Sequence, residues 1–330
     1  MKAVLLDGFG GVDVLRVGEA ERPSIAQGQV LVKVLATSVN RPDIIQRQGN
    51  YPPPKGESEI LGLEVAGTIE EIGSDVSGWN VGDRVMSLVA GGGYAEYAVA
   101  YANHLMRIPD SMSFQEAACI CETYITAYSN IFMLGNFKDG ETILLHGGGG
   151  GVNTAAIQLC KALTPESKII VTTSPQKIDR VSELGADFVI NYQTQDFAEE
   201  ARAFTNNRGA DVILDHIGAK YLSSNMKTLA VEGRLVIIGV MGGMKAELNI
   251  ALMMVKRQRI IGSVLRSRPV MQKGEITAEF AETVVPKLAD RTIVPLISAT
   301  FLLDEVAQAH HMMEQSQHFG KIVLRVASSD

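Results

Sequence analysis

The pattern of apolar and polar positions changes near residue 122. Before that point, short runs rich in valine, isoleucine and leucine alternate with glycine turns, which predicts a β-rich domain of barrel or sandwich type. The loop Tyr51–Pro54 contains three consecutive prolines and is not predicted as a strand. The predicted strands of this part are Ala3–Leu6, Val30–Ser38, Leu63–Ile72, Asp83–Val89 and Tyr94–Val99.

After residue 122, apolar runs of strand length alternate with helical stretches, which is the pattern of a doubly wound parallel sheet in an α/β fold. The strand Arg259–Leu265 is predicted at a sheet edge, and Lys321–Val326 is expected to return to the first domain. The other predicted strands are Thr142–Leu145, Lys168–Thr173, Asp187–Ile190, Asp211–Asp215, Arg234–Gly239 and Ile297–Phe301. The predicted helices are Glu122–Leu134, one starting near Gly151, Pro175–Leu184, Phe197–Thr205, Tyr221–Leu229, Glu275–Leu288 and Leu303–Glu314.

Five consecutive glycines, Gly147–Gly151, connect the apolar strand Ile143–Leu145 to a helix whose apolar residues recur every three or four positions. The first turn of a helix has unpaired N–H groups and a partial positive charge, and glycine lets a pyrophosphate approach the backbone. The segment therefore predicts a phosphate site for a dinucleotide. A flexible glycine loop without a ligand is the alternative for this segment alone, but the alternating strands and helices around it favour the dinucleotide.

The residues after the second strand bear on which dinucleotide binds. NAD sites place an acid there to bond the ribose 2′-hydroxyl. In this chain the strand is followed by Ser174 and Lys177, and the first carboxylate is Asp179. A hydroxyl and an ammonium suit a 2′-phosphate instead. NADPH is therefore the predicted cofactor, and the alternative is that Lys177 is only a solvated helix residue.

Composition excludes several classes of protein. Of 330 residues, 46% are hydrophobic and 20% are charged, as in soluble globular proteins, and the net charge of −7 argues against a nucleic-acid partner. Three cysteines are too few for a disulfide framework and indicate a reducing compartment. There is no secretory signal pattern and no apolar run of about 18 residues, so we expect a soluble cytoplasmic protein that does not cross a membrane.

Short motifs follow one another along nearly the whole chain. They are Val39–Asp43, Gln48–Pro52, Leu61–Gly67, Val81–Val85, Gly92–Tyr97, Thr126–Tyr128, the glycine turn, Leu184–Asp187, Gly239–Gly243 and Gly320–Leu324. Their order and spacing resemble the medium-chain dehydrogenase/reductase superfamily, and within it the zeta-crystallin-like quinone oxidoreductases. The resemblance implies a GroES-like β-rich catalytic domain formed by residues 1–121 and 290–330. It also implies a Rossmann dinucleotide-binding domain formed by residues 122–289.

Two departures from the family pattern bear on function. Zinc alcohol dehydrogenases of the superfamily have Gly-His-Glu, whose histidine binds zinc, whereas this chain has Gly62-Leu63-Glu64. The chain also lacks the four-cysteine lobe of a structural zinc, so no metal is expected. The last glycine of the family's turn is replaced by Asn153. We expect the helix to sit slightly differently for that reason, with pyrophosphate binding retained.

The resemblance also implies where the site residues lie. Tyr51 and Asn40 are the candidate catalytic residues, as hydrogen-bond donors or orienting groups for the acceptor. For each apolar residue of the cofactor-binding set given next, the alternative is that it only packs in the core. For Tyr51 the alternative is that it only forms the wall of a pocket. The implied cofactor-binding residues are Asn40 and Thr126 beside the nicotinamide, Gly151 and Val152 at the pyrophosphate, Ser174, Lys177 and Tyr192 at the 2′-phosphate, Gly239, Val240 and Met241 along the fifth strand, Val264 and Leu265 near the nicotinamide amide, and Lys321 from the tail.

The zinc-free family pattern implies hydride transfer from NADPH to a quinone. An NADPH-dependent reductase of enones or enoyl thioesters is the second possibility on this scaffold. A non-catalytic NADPH-binding protein, crystallin-like or related to an RNA-binding protein, is the third, and the acidic net charge counts against RNA. The predicted edge strand Arg259–Leu265 leads us to expect a homodimer.

Overall fold

The structure is a computed structural model, and it describes residues 1–326. Most of the predicted apolar runs form strands. The strands are β1 (Lys2–Leu6), β2 (Leu15–Glu19), β3 (Gln29–Val39), β4 (Glu64–Ile72), β5 (Arg84–Leu88), β6 (Tyr97–Tyr101), β7 (Leu105–Arg107), β8 (Thr142–His146), β9 (Lys168–Thr173), β10 (Phe188–Asn191), β11 (Ala210–Asp215), β12 (Leu229–Ile237), β13 (Arg259–Gly262), β14 (Ile297–Leu302) and β15 (Lys321–Arg325).

The predicted helices are all present, and three further helices, Arg41–Arg47, Phe114–Ala117 and Ile250–Lys256, were not predicted. A π-helical segment, Ser129–Leu134, continues the third helix, so the predicted helix Glu122–Leu134 changes its hydrogen-bond pattern halfway. The α-helices are α1 (Arg41–Arg47), α2 (Phe114–Ala117), α3 (Cys121–Tyr128), α4 (Gly151–Leu163), α5 (Ile178–Glu183), α6 (Phe197–Phe204), α7 (Leu222–Thr228), α8 (Ile250–Lys256), α9 (Val270–Ala289) and α10 (Val306–Glu314). Among the residues described, no helix is both long enough and apolar enough to span a membrane.

The chain divides into two compact units. Of the described residues, unit 1 comprises 1–125 and 265–326, and unit 2 comprises 126–264. These limits differ from the expected boundaries at 122 and 289, chiefly because α9 belongs to unit 1. The first residue of α9, Val270, accepts a hydrogen bond through its carbonyl from His104 Nε2 at 2.9 Å. The sequence pattern did not reveal this contact, since the two residues are far apart in the chain.

Unit 2 contains the predicted doubly wound parallel sheet. Its strand order is β10-β9-β8-β11-β12-β13, and every neighbouring pair is parallel. The central strands β8 and β11 are buried along their whole length, as their apolar sequences predict. Strand β13 lies at one edge, which confirms the predicted edge position, although it ends at Gly262 rather than at residue 265.

Unit 1 contains a seven-stranded sheet with the order β14-β15-β3-β4-β5-β7, in which β6 also pairs with β3. The long strand β3 pairs with β6 through its first residues and with β15 through its last residues. Strand β15 runs antiparallel to β3, with Ile322 opposite Val39, so the tail returns to the first part of the chain as predicted. This pairing brings Lys321 beside the end of β3.

Candidate functional site

The glycine turn of unit 2 lies between β8 and α4, as predicted. Gly147 has φ of +81°, a left-handed conformation that favours glycine. Gly150 is the extended N-cap residue, and α4 begins at Gly151. The amides of Gly151 and Val152 therefore lie in the first turn, where no intrahelical acceptor is available to them. They are free to bind an anion at the positive end of the helix.

The turn packs closely against its surroundings. A Cβ at Gly148 would lie 2.4 Å from Val171 Cγ1, and a Cβ at Gly149 would lie 2.3 Å from Lys177 Cδ. Neither distance is possible between real atoms, so only glycine fits without a shift. The stem of Lys177 consequently lies against Gly149 and brings its ammonium to the turn. This close packing argues against a loose glycine loop.

Asn153 binds the helix to the turn. Its side-chain amide donates to the carbonyl oxygens of His146 and Gly147, the second at 3.1 Å. Asn153 is 2% exposed, and its Oδ1 atom is buried without a hydrogen-bond partner. The residue that replaces the usual glycine therefore adds two hydrogen bonds to the phosphate turn, at the cost of one unpaired oxygen.

A buried hydrogen-bond network lies next to the glycine turn, at the end of β8. His146 Nε2 and Asn225 Oδ1 are 2.8 Å apart, and Asn225 Nδ2 donates to Asp215 Oδ2 at 3.1 Å. Asp215 also accepts from the amides of Ile217 and Gly218, at 2.6 and 3.2 Å. Burial lowers the pKa of His146 to about 3, so the ring is neutral at physiological pH. The network joins the ends of β8 and β11 and rigidifies them.

Most cofactor-binding residues predicted in unit 2 come directly after a parallel strand. Because parallel strands all end at the same sheet edge, these residues share that edge. Tyr192, Val240, Met241 and Val264 are each about half exposed or more. Thr126 is the exception, since it lies within α3. The residues at this edge are Gly151 and Val152 after β8, Ser174 and Lys177 after β9, Tyr192 after β10, Gly239, Val240 and Met241 after β12, and Val264 after β13.

In unit 1, two predicted residues meet at a buried carboxylate. Lys321 Nζ donates to Asn40 Oδ1 at 2.5 Å and to Glu64 Oε1 at 3.0 Å, and Asn40 Nδ2 donates to the same Glu64 oxygen at 2.9 Å. Glu64 also accepts from Ser38 Oγ and from the amide of Glu122, at 2.5 and 2.9 Å. The side chains of Lys321 and Glu64 are 3% and 0% exposed. Both hydrogen-bonding ends of the Asn40 amide are thus occupied within the protein.

Tyr51 lies beside a buried arginine that the sequence analysis did not identify. The guanidinium carbon of Arg266 is 5.1 Å from the centre of the Tyr51 ring, and Arg266 Nη1 donates to the Tyr51 carbonyl at 3.3 Å. The other donors of Arg266 reach Ala90 O and Gln46 Oε1, both at 2.8 Å. Arg266 is 7% exposed, and burial lowers its pKa. Burial raises the pKa of the Tyr51 phenol, and the nearby charge of Glu122 adds to that effect.

The structure also brings Glu122 and Lys273 into this region of unit 1. Burial raises the pKa of Glu122 to about 8, and the adjacent Glu64 charge acts in the same direction. Lys273 is 6% exposed and donates to the Arg266 carbonyl at 3.3 Å, and burial lowers its pKa. Neither residue belongs to a recognisable motif, so no local sequence signal pointed to them. Leu265, predicted near the nicotinamide, is buried in unit 1.

No metal centre is evident in this region. Leu63, which stands where the zinc enzymes have a histidine, is 1% exposed and apolar. Across residues 1–326, no group of three or more histidine, cysteine, aspartate or glutamate side chains is placed to hold a metal ion. The ammonium of Lys321 provides the positive charge that faces Glu64.

Known proteins match both units. A family model described as an alcohol dehydrogenase GroES-like domain matches residues 26–110, and one described as a zinc-binding dehydrogenase matches residues 151–282. The quinone oxidoreductase of Lama guanicoe is 33% identical over 328 residues, which covers 98% of this chain and 97% of that protein. The chain belongs to the medium-chain dehydrogenase/reductase superfamily. It is a quinone-oxidoreductase-like member, and the expected GroES-like and Rossmann folds are confirmed.

Solved structures of other superfamily members resemble this protein over their full length. The JamJ enoyl reductase in its apo form has a TM-score of 0.89 at 26% identity, and the match covers 99% of each chain. A mycobacterial protein complexed with NADPH has a TM-score of 0.88 at 27% identity, covering 99% of this chain and 100% of that one. The superfamily fold is that of a nicotinamide-dependent oxidoreductase, and the residues of the glycine turn fit such a cofactor.

Proposed function

We propose that this protein is a zinc-independent reductase that uses NADPH and reduces quinones. The observation that carries the choice of cofactor is that β9 is followed by Ser174 and Lys177 instead of the acid that binds a ribose 2′-hydroxyl. The Lys177 stem lies against Gly149, so its ammonium is at the sheet edge where a dinucleotide would bind. Ser174 and Tyr192 lie at the same sheet edge, and no carboxylate precedes Asp179 after β9. This arrangement favours a 2′-phosphate over a free ribose hydroxyl.

The bound NADPH supplies the hydride, and the residues of this chain hold the reactants. In our proposal the amides of Gly151 and Val152 bind the pyrophosphate, and Ser174, Lys177 and Tyr192 bind the adenosine 2′-phosphate. For the rest of the cofactor the proposal retains the residues that the family resemblance implies, namely Asn40, Thr126, Gly239, Val240, Met241, Val264, Leu265 and Lys321. Of these, Asn40 and Lys321 already hydrogen-bond to each other and to Glu64. In unit 1, Tyr51 orients the acceptor, and its ring is itself fixed by Arg266.

Two comparisons support the choice of acceptor class. The relative with 33% identity over nearly the whole chain is a quinone oxidoreductase, and the apolar Leu63 replaces the zinc-binding histidine of alcohol dehydrogenases. The structural similarity to an enoyl reductase supports a second candidate, reduction of an activated C=C bond. Both reactions deliver hydride to a conjugated acceptor, so the same residues serve either one.

We also propose a homodimer formed through the edge of the parallel sheet. Strand β13 leaves one side unpaired in the single chain, and an unpaired edge favours strand addition. Helix α8, which precedes β13 in the chain and packs against β12, has no buried residue, and its Ile250, Met254 and Val255 are 64%, 70% and 77% exposed. Exposed apolar side chains of this kind are typical of a protein–protein interface.

The test follows NADPH absorbance with purified protein and four acceptors: a benzoquinone, an ortho-naphthoquinone, an α,β-unsaturated ketone and a crotonyl thioester. NADH is run in parallel. Turnover of the quinones with NADPH preferred supports the main proposal, and faster turnover of the ketone or thioester supports the second candidate. Tight NADPH binding without turnover of any acceptor would overturn both in favour of a non-catalytic binding protein.

A further inference from the structure

His216 follows β11 in unit 2 and lies between two turns at the sheet edge where the parallel strands end. A Cβ at Gly147 would lie 2.8 Å from His216 Cε1 and 2.9 Å from His216 Nε2, so the ring packs against the glycine turn after β8. A Cβ at Gly239 would lie 3.1 Å from His216 Cβ, and the amide of Met241 donates to the His216 carbonyl at 3.1 Å. The imidazole therefore sits beside the glycine turn, and its backbone contacts the turn after β12.

This position is the point at which the strand order of the sheet reverses. After β8 the chain adds β9 and β10 on one side, and it then returns to add β11, β12 and β13 on the other side. The connections that leave β8 and β11 consequently run in opposite directions and open a crevice between them. Doubly wound sheets bind their ligands in that crevice. His216 is half-buried there, so part of the residue is accessible to a ligand.

The ionisable groups near His216 do not neutralise a new negative charge in this crevice. His146 is uncharged at physiological pH, because burial lowers its pKa to about 3. Asp215 already accepts hydrogen bonds from two backbone amides and from Asn225. The turn after β12, residues 237–243, contains no ionisable residue. The ionisable groups on the adjoining elements are His146 at the end of β8, Lys177 at Gly149 of the glycine turn, and Asp215, Lys220 and Tyr221 on the same connection as His216.

We propose that His216, in its protonated form, binds the diphosphate of the dinucleotide, so that cofactor binding is coupled to the uptake of one proton. This inference rests on the proposed function and names how its cofactor site responds to pH. The amides of Gly151 and Val152 bind the diphosphate from α4, and His216 binds it from the end of the neighbouring strand. A ring nitrogen takes its proton from solvent, because an adjacent anion favours the charged form of an imidazole. Affinity should therefore fall as the pH rises through about 6.5, where histidine ordinarily loses its proton.

Calorimetry with ADP-ribose tests this coupling without catalysis. ADP-ribose contains the diphosphate but no 2′-phosphate, whose own ionisation near pH 6 would obscure the result. The wild type should bind ADP-ribose about tenfold more weakly at about pH 8 than at about pH 5.5. At about pH 7 the observed enthalpy should differ between MOPS and Tris buffers, because the protein takes up part of a proton from the buffer as it binds.

Two substitutions separate the charge of the side chain from its shape. His216→Gln should bind ADP-ribose about tenfold more weakly than the wild type at about pH 6, without pH dependence and without proton uptake. His216→Arg carries a permanent charge, so it should keep its affinity at high pH and also take up no proton. His311→Gln replaces an exposed histidine of α10 and is the matched control, which should behave like the wild type. His216→Gln should weaken NADPH and NADH equally, since both contain the diphosphate.

The outcomes distinguish this inference from the reductase proposal. If wild-type affinity for ADP-ribose is the same at both pH values and no proton is taken up, the inference is wrong and the reductase proposal stands. A loss of affinity in His216→Gln without pH dependence in the wild type also overturns it, because a neutral ring can bond a ribose hydroxyl equally well. If the wild type binds neither ADP-ribose nor NADPH, both proposals fail. The buffer comparison needs no variant, so it decides the question even where a substitution disturbs folding.

Discussion

Replacing Lys321 by methionine should destabilise unit 1 by about 3 kcal/mol. Methionine keeps most of the apolar stem but removes the ammonium that donates to Asn40 and Glu64. Glu64 then becomes a fully buried carboxylate without a cation. Breaking a buried ion pair in this way costs about 3–5 kcal/mol. We expect the lower end, because Ser38, Asn40 and the Glu122 amide still donate to Glu64.

The single tryptophan provides an assay for this unit alone. Trp79 is the one tryptophan of the chain and packs in the apolar cluster of unit 1, with the Arg107 guanidinium 4.6 Å from its ring centre. Urea unfolding followed by its fluorescence gives the free energy of unfolding of unit 1. Lys33→Met, an exposed lysine on β3, is the matched control and should change that free energy by less than about 0.5 kcal/mol.

The double variant Glu64→Gln/Lys321→Met should recover much of the lost stability, since no buried charge remains unpaired. A Lys321→Met protein within about 1 kcal/mol of the wild type would refute the view that this ion pair stabilises the fold. If Lys321 served only the cofactor, its replacement would leave unfolding unchanged and weaken NADPH binding alone.

Three further predictions follow from single side chains. Lys177→Met should weaken NADPH binding by about 10- to 100-fold in calorimetry, with a much smaller effect on NADH, because a hydrogen bond to a charged phosphate is worth about 1.5–3 kcal/mol. Lys227→Met, an exposed lysine of α7, should affect neither cofactor, and an equal loss of both in Lys177→Met would contradict the 2′-phosphate site. Val255→Glu on the exposed face of α8 should convert a dimer into a monomer in sedimentation experiments, and a wild-type monomer at micromolar concentration would refute the dimer. His310 keeps a pKa of about 3 in the folded protein because it is buried and near Arg47, so the unfolded chain takes up its proton first and stability is lost as the pH falls from about 6.5 to about 3. His310→Gln should lessen that loss in the same urea titrations, and an unchanged pH dependence would show that another group causes it.

The sequence allowed us to predict the positions of those candidate site residues that come directly after a strand. The glycine turn, Ser174, Lys177 and Tyr192 each come after an apolar run whose length and composition indicate a parallel strand, and such strands end at a common edge. The return of β15 to unit 1 and the edge position of β13 were also predicted, and both are confirmed. The spacing of apolar residues predicts such strands because strand formation depends largely on residues that are close together in the chain.

The effect of Asn153 was not predictable from the pattern. The sequence shows only that a larger residue replaces a glycine, which indicates a shifted helix. In the structure the side-chain amide reaches back to two carbonyl groups of the turn and binds the helix to it. Whether the Asn153 amide forms these hydrogen bonds depends on its side-chain rotamer and on the positions of the two carbonyl groups. The pattern of apolar and polar residues contains no information about either.

The sequence by itself determined the alternation of strands and helices in the parallel sheet and the position of the glycine turn, since each depends on residues close together in the chain. Only the tertiary structure decided which charges meet. Glu64, Glu122, Arg266 and Lys321 come from distant segments, and sheet pairing and helix packing in unit 1 bring them together. Burial then raises the pKa of Glu122 and lowers that of Arg266, because the free energy of a charge depends on its surroundings rather than on its neighbours in sequence.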